Sequence, residues 1–117
     1  MKTTRLHTEP DVPVRRYAAM IMIQAINDSA SEIVVEMTDE PCVAIDGSLL
    51  AQPPDHLMNH LIAAYLKMAG CIRWRWTTRE KGRRFCTIYD GISYLWVLSS
   101  EDIRRVVKIR RLSDHSK

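Results

Sequence analysis

This 117-residue chain predicts an α+β fold: an antiparallel sheet of five or six strands with two helices packed on one face. Three observations carry that reading. Two segments of helical periodicity, Pro13–Ser29 and Pro53–Ala69, flank an alternating apolar stretch that turns at Asp46-Gly47. From Ile72 onward, short alternating runs are separated by turn residues at Arg79–Gly82 and Asp90-Gly91, the pattern of a β-meander. Strands grouped apart from helices, without strict alternation of the two, favour a sheet with its helices on one side.

Residues 1–11 are polar, aperiodic and contain Pro10, which predicts a mobile N-terminal tail; 12–112 then form one domain and 113–117 a C-terminal tail. Asp11 suits the N-cap of the first helix and Pro13 its first turn, where a missing N–H costs nothing. Arg16, Gln24 and Asn27 mark its polar stripe, but Met20 and Ile23 fall inside that stripe. They are either scattered surface apolar residues or a contact patch for a partner or a second copy.

The first strand alternates Ile33, Val35 and Met37 against Glu32, Val34 and Glu36, and Thr38–Pro41 makes a turn. Cys42–Ile45 and Ser48–Gln52 form a hairpin about Asp46-Gly47, since glycine tolerates the positive φ such a turn needs. The second helix has an apolar face of Leu57, Leu61, Ile62, Tyr65 and Met68, with Gly70 as its C-cap. In the meander Ile72, Trp74 and Trp76 alternate with Arg73 and Arg75, followed by strands Arg83–Tyr89 and Ser93–Leu98. Ser99 with Asp102 suits a short capped helical turn, and Val107, Ile109 and Leu112 fit either a strand or a helix.

The composition, 46% hydrophobic and 26% charged, is that of an ordinary globular domain. The longest apolar run, Tyr17–Ile23, is far too short to span a bilayer, and the N-terminus lacks an apolar signal core. Cys42, Cys71 and Cys86 are odd in number and widely spaced, which favours reduced thiols and a cytoplasmic location over a disulfide framework or zinc. Residues 1–70 carry five basic and nine acidic side chains, residues 71–117 twelve and five, so the chain is a charge dipole able to steer a charged partner.

No catalytic or cofactor constellation emerges. His56 and His60 are one helical turn apart but lack the intervening Glu of H-E-x-x-H and a third ligand, so they read as surface histidines with no metal. Glu32, Glu36, Asp39, Glu40 and Asp46 cluster near one sheet end; paired carboxylates perform acid–base work only in a pocket that shifts their pKa values, and alternate strand positions are ordinarily the solvated side. The basic hairpin of Arg73, Arg75, Arg79, Lys81, Arg83 and Arg84, interleaved with Trp74 and Trp76, has the mixture single-strand binders use. Strand alternation puts the tryptophans opposite Arg73 and Arg75, so stacking and phosphate contacts would not share a surface, and nucleic-acid binding ranks as an alternative.

The run Ala30-Ser31-Glu32-Ile33-Val34-Val35-Glu36 after a helix, then Ile45-Asp46-Gly47, then a helix ending Leu66-Lys67-Met68-Ala69, resembles the N-terminal domain of the type II secretion and type IV pilus ATPases. In that family a helix ends in an A-S-D-x-H-x-E strand, an R-x-R-x-D-G strand turns at its glycine, and a second helix follows. The matching positions here are Ala30, Ser31, Glu32, Glu36, Asp46 and Gly47, and the resemblance spans 12–112. It implies a PAS-like sheet, a strand near Val107–Leu112, a bacterial source, and a role beside a secretion or pilus motor.

The motor itself is missing from this sequence. None of Gly47, Gly70, Gly82 and Gly91 is followed by the Lys-Ser/Thr of a phosphate-cradling P-loop, so ATP hydrolysis by that route is excluded. The family's histidine aligns with Val34 and its two arginines, which help the motor sense nucleotide, with Cys42 and Ala44. Val34, Cys42 and Ala44 share a face that the family keeps polar and this chain makes apolar and small. The expectation is a non-catalytic, cofactor-free protein-binding domain contacting its partner or a second copy through Met20, Ile23, Val34, Cys42 or Ala44. A PAS-like sheet face that binds a small molecule is a further alternative.

Overall fold

A computed structural model of the chain describes residues 1–6, 13–37, 40–71, 79–103 and 105–112, with the backbone alone described at Asp55. The expectations for Asp11, for Thr38 and Asp39, for the strand from Ile72 to Trp76 with Arg73 and Arg75, and for the C-terminal tail lie outside these residues. The element order is β1 (Lys2–Arg5), α1 (Pro13–Asn27), β2 (Glu32–Glu36), β3 (Cys42–Ile45), β4 (Ser48–Ala51), α2 (Asp55–Ala69), β5 (Glu80–Tyr89), β6 (Ile92–Asp102) and β7 (Val106–Arg111). The class is α+β as expected, but the sheet has seven strands in the order β1-β5-β6-β7-β2-β3-β4. It is mixed, because β1 runs parallel to β5 while the other neighbours are antiparallel.

One sheet face is the core. Ile33, Val35, Val43, Ile45, Phe85, Trp96, Leu98, Val107 and Ile109 are buried at alternate positions of their strands. Over them α1 presents Ala18, Ile21, Met22 and Ala25, and α2 presents Met58, Leu61, Tyr65 and Leu66. The two helices also pack on each other, where the Tyr65 hydroxyl donates to the Ala18 carbonyl at 2.8 Å. Trp96 is fully buried with its indole N–H donated to Thr87 Oγ1 at 2.8 Å, so each buried polar group satisfies the other.

Three local expectations change and one open one is resolved. The N-terminal tail contributes β1, whose Lys2–Arg5 pair with Phe85–Ile88, and Leu6 is buried at its end. Thr3-Thr4 is compatible with a strand, but the partner lies far along the chain. The turn expected at Arg79–Gly82 is the start of β5, with a register irregularity between Glu80 and Arg83. The helical turn expected at Ser99–Asp102 is strand: the Ser100 hydroxyl donates to the Val106 carbonyl and accepts the Asp102 N–H, bridging the β6–β7 connection. The ambiguous segment near Val107–Leu112 is β7, the middle strand of the sheet, joining β6 to β2. Both Asp-Gly hairpins form with positive φ at both residues, 49° and 83° at Asp46-Gly47 and 54° and 78° at Asp90-Gly91.

Candidate protein-interaction surface

The resemblance motif assembles into a structural clasp. After α1 the chain reverses with Ser29 at φ 55°, and Ser29 N–H and Ala30 N–H return to the carbonyls of Ile26 and Ala25. Ala30 is buried, and the next two amides point at one carboxylate. Asp46 Oδ1 accepts from Ser31 N–H and Glu32 N–H, both at 2.9 Å, and Oδ2 lies 3.1 Å from Ser31 N. Asp46 N–H in turn donates to the Glu32 carbonyl at 2.9 Å. Ala30, Ser31, Glu32 and Asp46 thus fasten the helix end to the β3–β4 turn, with Gly47 completing the turn. Glu36 lies outside the clasp, half-buried opposite Cys42 and Val106.

The same strands carry the predicted interface residues on the sheet face opposite the helices. Val34 pairs across β2–β3 with Ala44 and across β2–β7 with Lys108. Ala44 pairs across β3–β4 with Leu49. A row Lys108–Val34–Ala44–Leu49 therefore runs outward to the sheet edge, charged at its inner end and apolar toward β4. Glu32 and Glu36 flank Val34 along β2, so the apolar row lies between carboxylates. Cys42 is half-buried beside it; burial raises its thiol pKa above the ordinary range, with the Glu36 and Glu40 carboxylates adding, so the thiol stays protonated at neutral pH.

Leu49 and Leu50 are the residues the sequence reading missed. They are 61% and 42% exposed on β4, which is an edge strand among the described residues, its outer N–H and C=O groups facing no other described strand. Between the base of this hairpin and the end of α1 is an open notch of about 260 Å³, reached by Leu49, Leu50, Ala30 and Asp28. The available signal was the two-residue hairpin itself, which fixes Leu49 opposite Ala44 once Asp46-Gly47 is the turn. The other predicted patch contracts: Met20 is 47% exposed, but Ile23 packs against the core. No ridge of two residues forms there.

The basic hairpin is described from Arg79 onward. Arg79 Nε lies 3.2 Å from Glu101 and Arg83 Nε 3.6 Å from Glu80, while Lys81 and Arg84 are exposed. Arg84 faces outward beside Val97, which is itself opposite Arg110. Phe85 and Trp96 of β5 and β6 are buried in the core, while Tyr89 and Tyr94 are half-buried, with the Arg111 guanidinium 4.9 Å from the Tyr94 ring centroid. His56 and His60 are exposed, and among the described residues no group of three or more His, Cys, Asp or Glu is placed to hold a metal. No described helix is long and apolar enough to cross a membrane. No protein-family model matches this chain, and a search of curated proteins returns no relative.

Proposed function

We propose that this chain is a non-catalytic protein-interaction domain that docks its partner on the β4 edge and the adjoining Val34–Ala44–Leu49 row. The carrying observation is the exposure of Leu49 and Leu50 on a strand that, among the described residues, is the sheet edge and extends an apolar row no described helix covers. Edge strands with exposed apolar side chains recruit a partner strand by backbone pairing, with side-chain pockets supplying selectivity. The carboxylates on either side of Val34 favour a partner whose apolar contact is flanked by basic residues.

The partner class follows from the resemblance to the N-terminal domain of secretion and pilus ATPases, whose PAS-like arrangement the element order α1–β2–β3–β4–α2 supports. The clasp among Ala30, Ser31, Glu32 and Asp46 gives the matched motif a folding role that needs no nucleotide. The domain therefore acts as an adaptor for a bacterial secretion or pilus motor, in the cytoplasm where such motors work.

Burying a Leu side chain contributes about 1.5–3 kcal/mol, and Leu49 starts 61% exposed, so its loss weakens a complex by about fivefold to twentyfold. The test is biolayer interferometry against purified secretion or pilus motor ATPases, with wild type and Leu49→Asp compared. Saturable wild-type binding that Leu49→Asp weakens, with the fold intact by circular dichroism, supports the reading. Absence of binding to every such motor, or binding indifferent to Leu49→Asp, overturns it.

A further inference from the structure

The charge asymmetry of the sequence becomes a lateral one on the sheet face away from the helices. At its centre β7 turns Lys108 and Arg110 outward, and its neighbour β2 turns Glu32 and Glu36 outward, with Arg110 opposite Glu32 and Lys108 opposite Val34. Beyond β7 the Arg110 row continues through Val97 of β6 to Arg84 of β5. Beyond β2 the face is small and uncharged at Ala44 and Cys42. Arg84, Lys108 and Arg110 are exposed and Glu32 is half-buried, and among the described residues none of the four is in an ion pair. The carboxylates on the basic side, Glu80 and Glu101, lie at the far end of β5 and β6 beside Arg83 and Arg79.

We propose that this face packs on the same face of a second copy of the chain in a twofold-symmetric dimer. Two sheets stacked with aligned strands can be related by a twofold axis along the strands or across them. An axis across the strands lays β7 on β7 and opposes like charges. An axis along the strands, between β7 and β2, keeps each row level and exchanges the two halves. Arg110 then meets Glu32 of the second copy, and Lys108 covers Val34 of the second copy with its alkyl stem while its ammonium reaches toward Glu36. Charge complementarity therefore selects both the occupant and its orientation. Six strands at about 4.8 Å spacing and about five residues at 3.4 Å rise give a footprint of roughly 500 Å² per copy. The total of roughly 1,000 Å² is at the lower limit for a specific interface, so the dimer is weak and reversible. It covers Val34 and Ala44, and self-association thereby competes with partner docking on that row.

The experiment is sedimentation velocity on the full chain from about 10 μM to 1 mM at low salt, with circular dichroism to verify each variant's fold. Wild type is expected to dimerise with a dissociation constant on the order of 10⁻⁵ to 10⁻⁴ M. Arg110→Glu and Glu32→Arg each place like charges across the axis and are expected to weaken the homodimer at least about tenfold. An equimolar mixture of the two variants restores opposite charges at both contacts and is expected to dimerise within about threefold of wild type, a recovery that no effect within a single chain can produce. Should either reversal fail to fold, Arg110→Gln and Glu32→Gln replace them, each weakening the dimer about threefold. A wild type that stays monomeric at 1 mM, a dimer indifferent to these substitutions, or a mixture of folded reversal variants that stays monomeric overturns the proposal. No motor protein is present, so the result is independent of the docking proposal.

Discussion

Substitution of Asp46 tests whether the resemblance motif is a folding device. In Asp46→Ala the amides of Ser31 and Glu32 lose their common carboxylate acceptor. Hydrogen bonds to a charged group are worth about 1.5–3 kcal/mol each, and partial exposure lets water replace much of that, so the pair contributes about 2–3 kcal/mol. Alanine at φ 49° adds about 1 kcal/mol of left-handed strain that aspartate and asparagine bear more easily. Asp46→Asn keeps the backbone tolerance and a neutral acceptor, and is expected to cost about 1–1.5 kcal/mol. Urea unfolding followed by tryptophan fluorescence measures both, with unchanged slopes showing that the unfolded state is not altered. At about 4–8 °C per kcal/mol, Asp46→Ala should lower the Tm by 10 °C or more. If Asp46→Ala unfolds within about 0.5 kcal/mol of wild type, the clasp contributes nothing and the argument from its geometry fails.

Three further outcomes are expected. Thr87→Val keeps the shape of the side chain but removes the acceptor of the buried Trp96 N–H, and should cost about 1–3 kcal/mol in the same unfolding assay. Cys71 is raised from an ordinary 9.0 to about 11, first by burial and then by Glu80, against the opposing Arg83. Its unfolded thiol loses a proton near 9 while the folded one keeps it, so stability is full below pH 9 and falls toward pH 11, by at most about 2.7 kcal/mol. Cys71→Ala should lessen that decline between pH 9 and 10, leaving the smaller slope of Cys42, whose thiol is also raised by burial; urea midpoints against pH measure this. Met20→Glu should leave both stability and motor binding within error of wild type by urea unfolding and interferometry, because Met20 is exposed on α1 away from the β4 edge.

What the sequence revealed was what local chemistry determines. The β3–β4 hairpin, α2 with Gly70 at φ 79°, and the β5–β6 turn were all legible, because each is encoded within a few residues by Asp-Gly, a terminal glycine or an apolar stripe. Strand β1 was not legible: Lys2-Thr3-Thr4-Arg5 has no apolar alternation, and only parallel pairing with distant β5 makes it a strand. The extension of β6 through Ser100 and Asp102 likewise depends on a hydroxyl bridging to β7. For the candidate surface, alternation placed Val34 and Ala44 on one face. Leu49 joined them only once the hairpin register was applied.

The most direct test of the docking surface is amide hydrogen exchange of Ser48–Ala51 with and without a secretion or pilus motor ATPase. Among the described residues β4 is an edge strand, so amides on its outer side have no described strand partner and are expected to exchange readily in the free domain. Docking by strand addition should slow exchange across β4, leave β1 unchanged, and lose its protection in Leu49→Asp. A complex that forms while β4 exchanges as in the free domain, with protection appearing instead around Met20 on α1, would contradict the account.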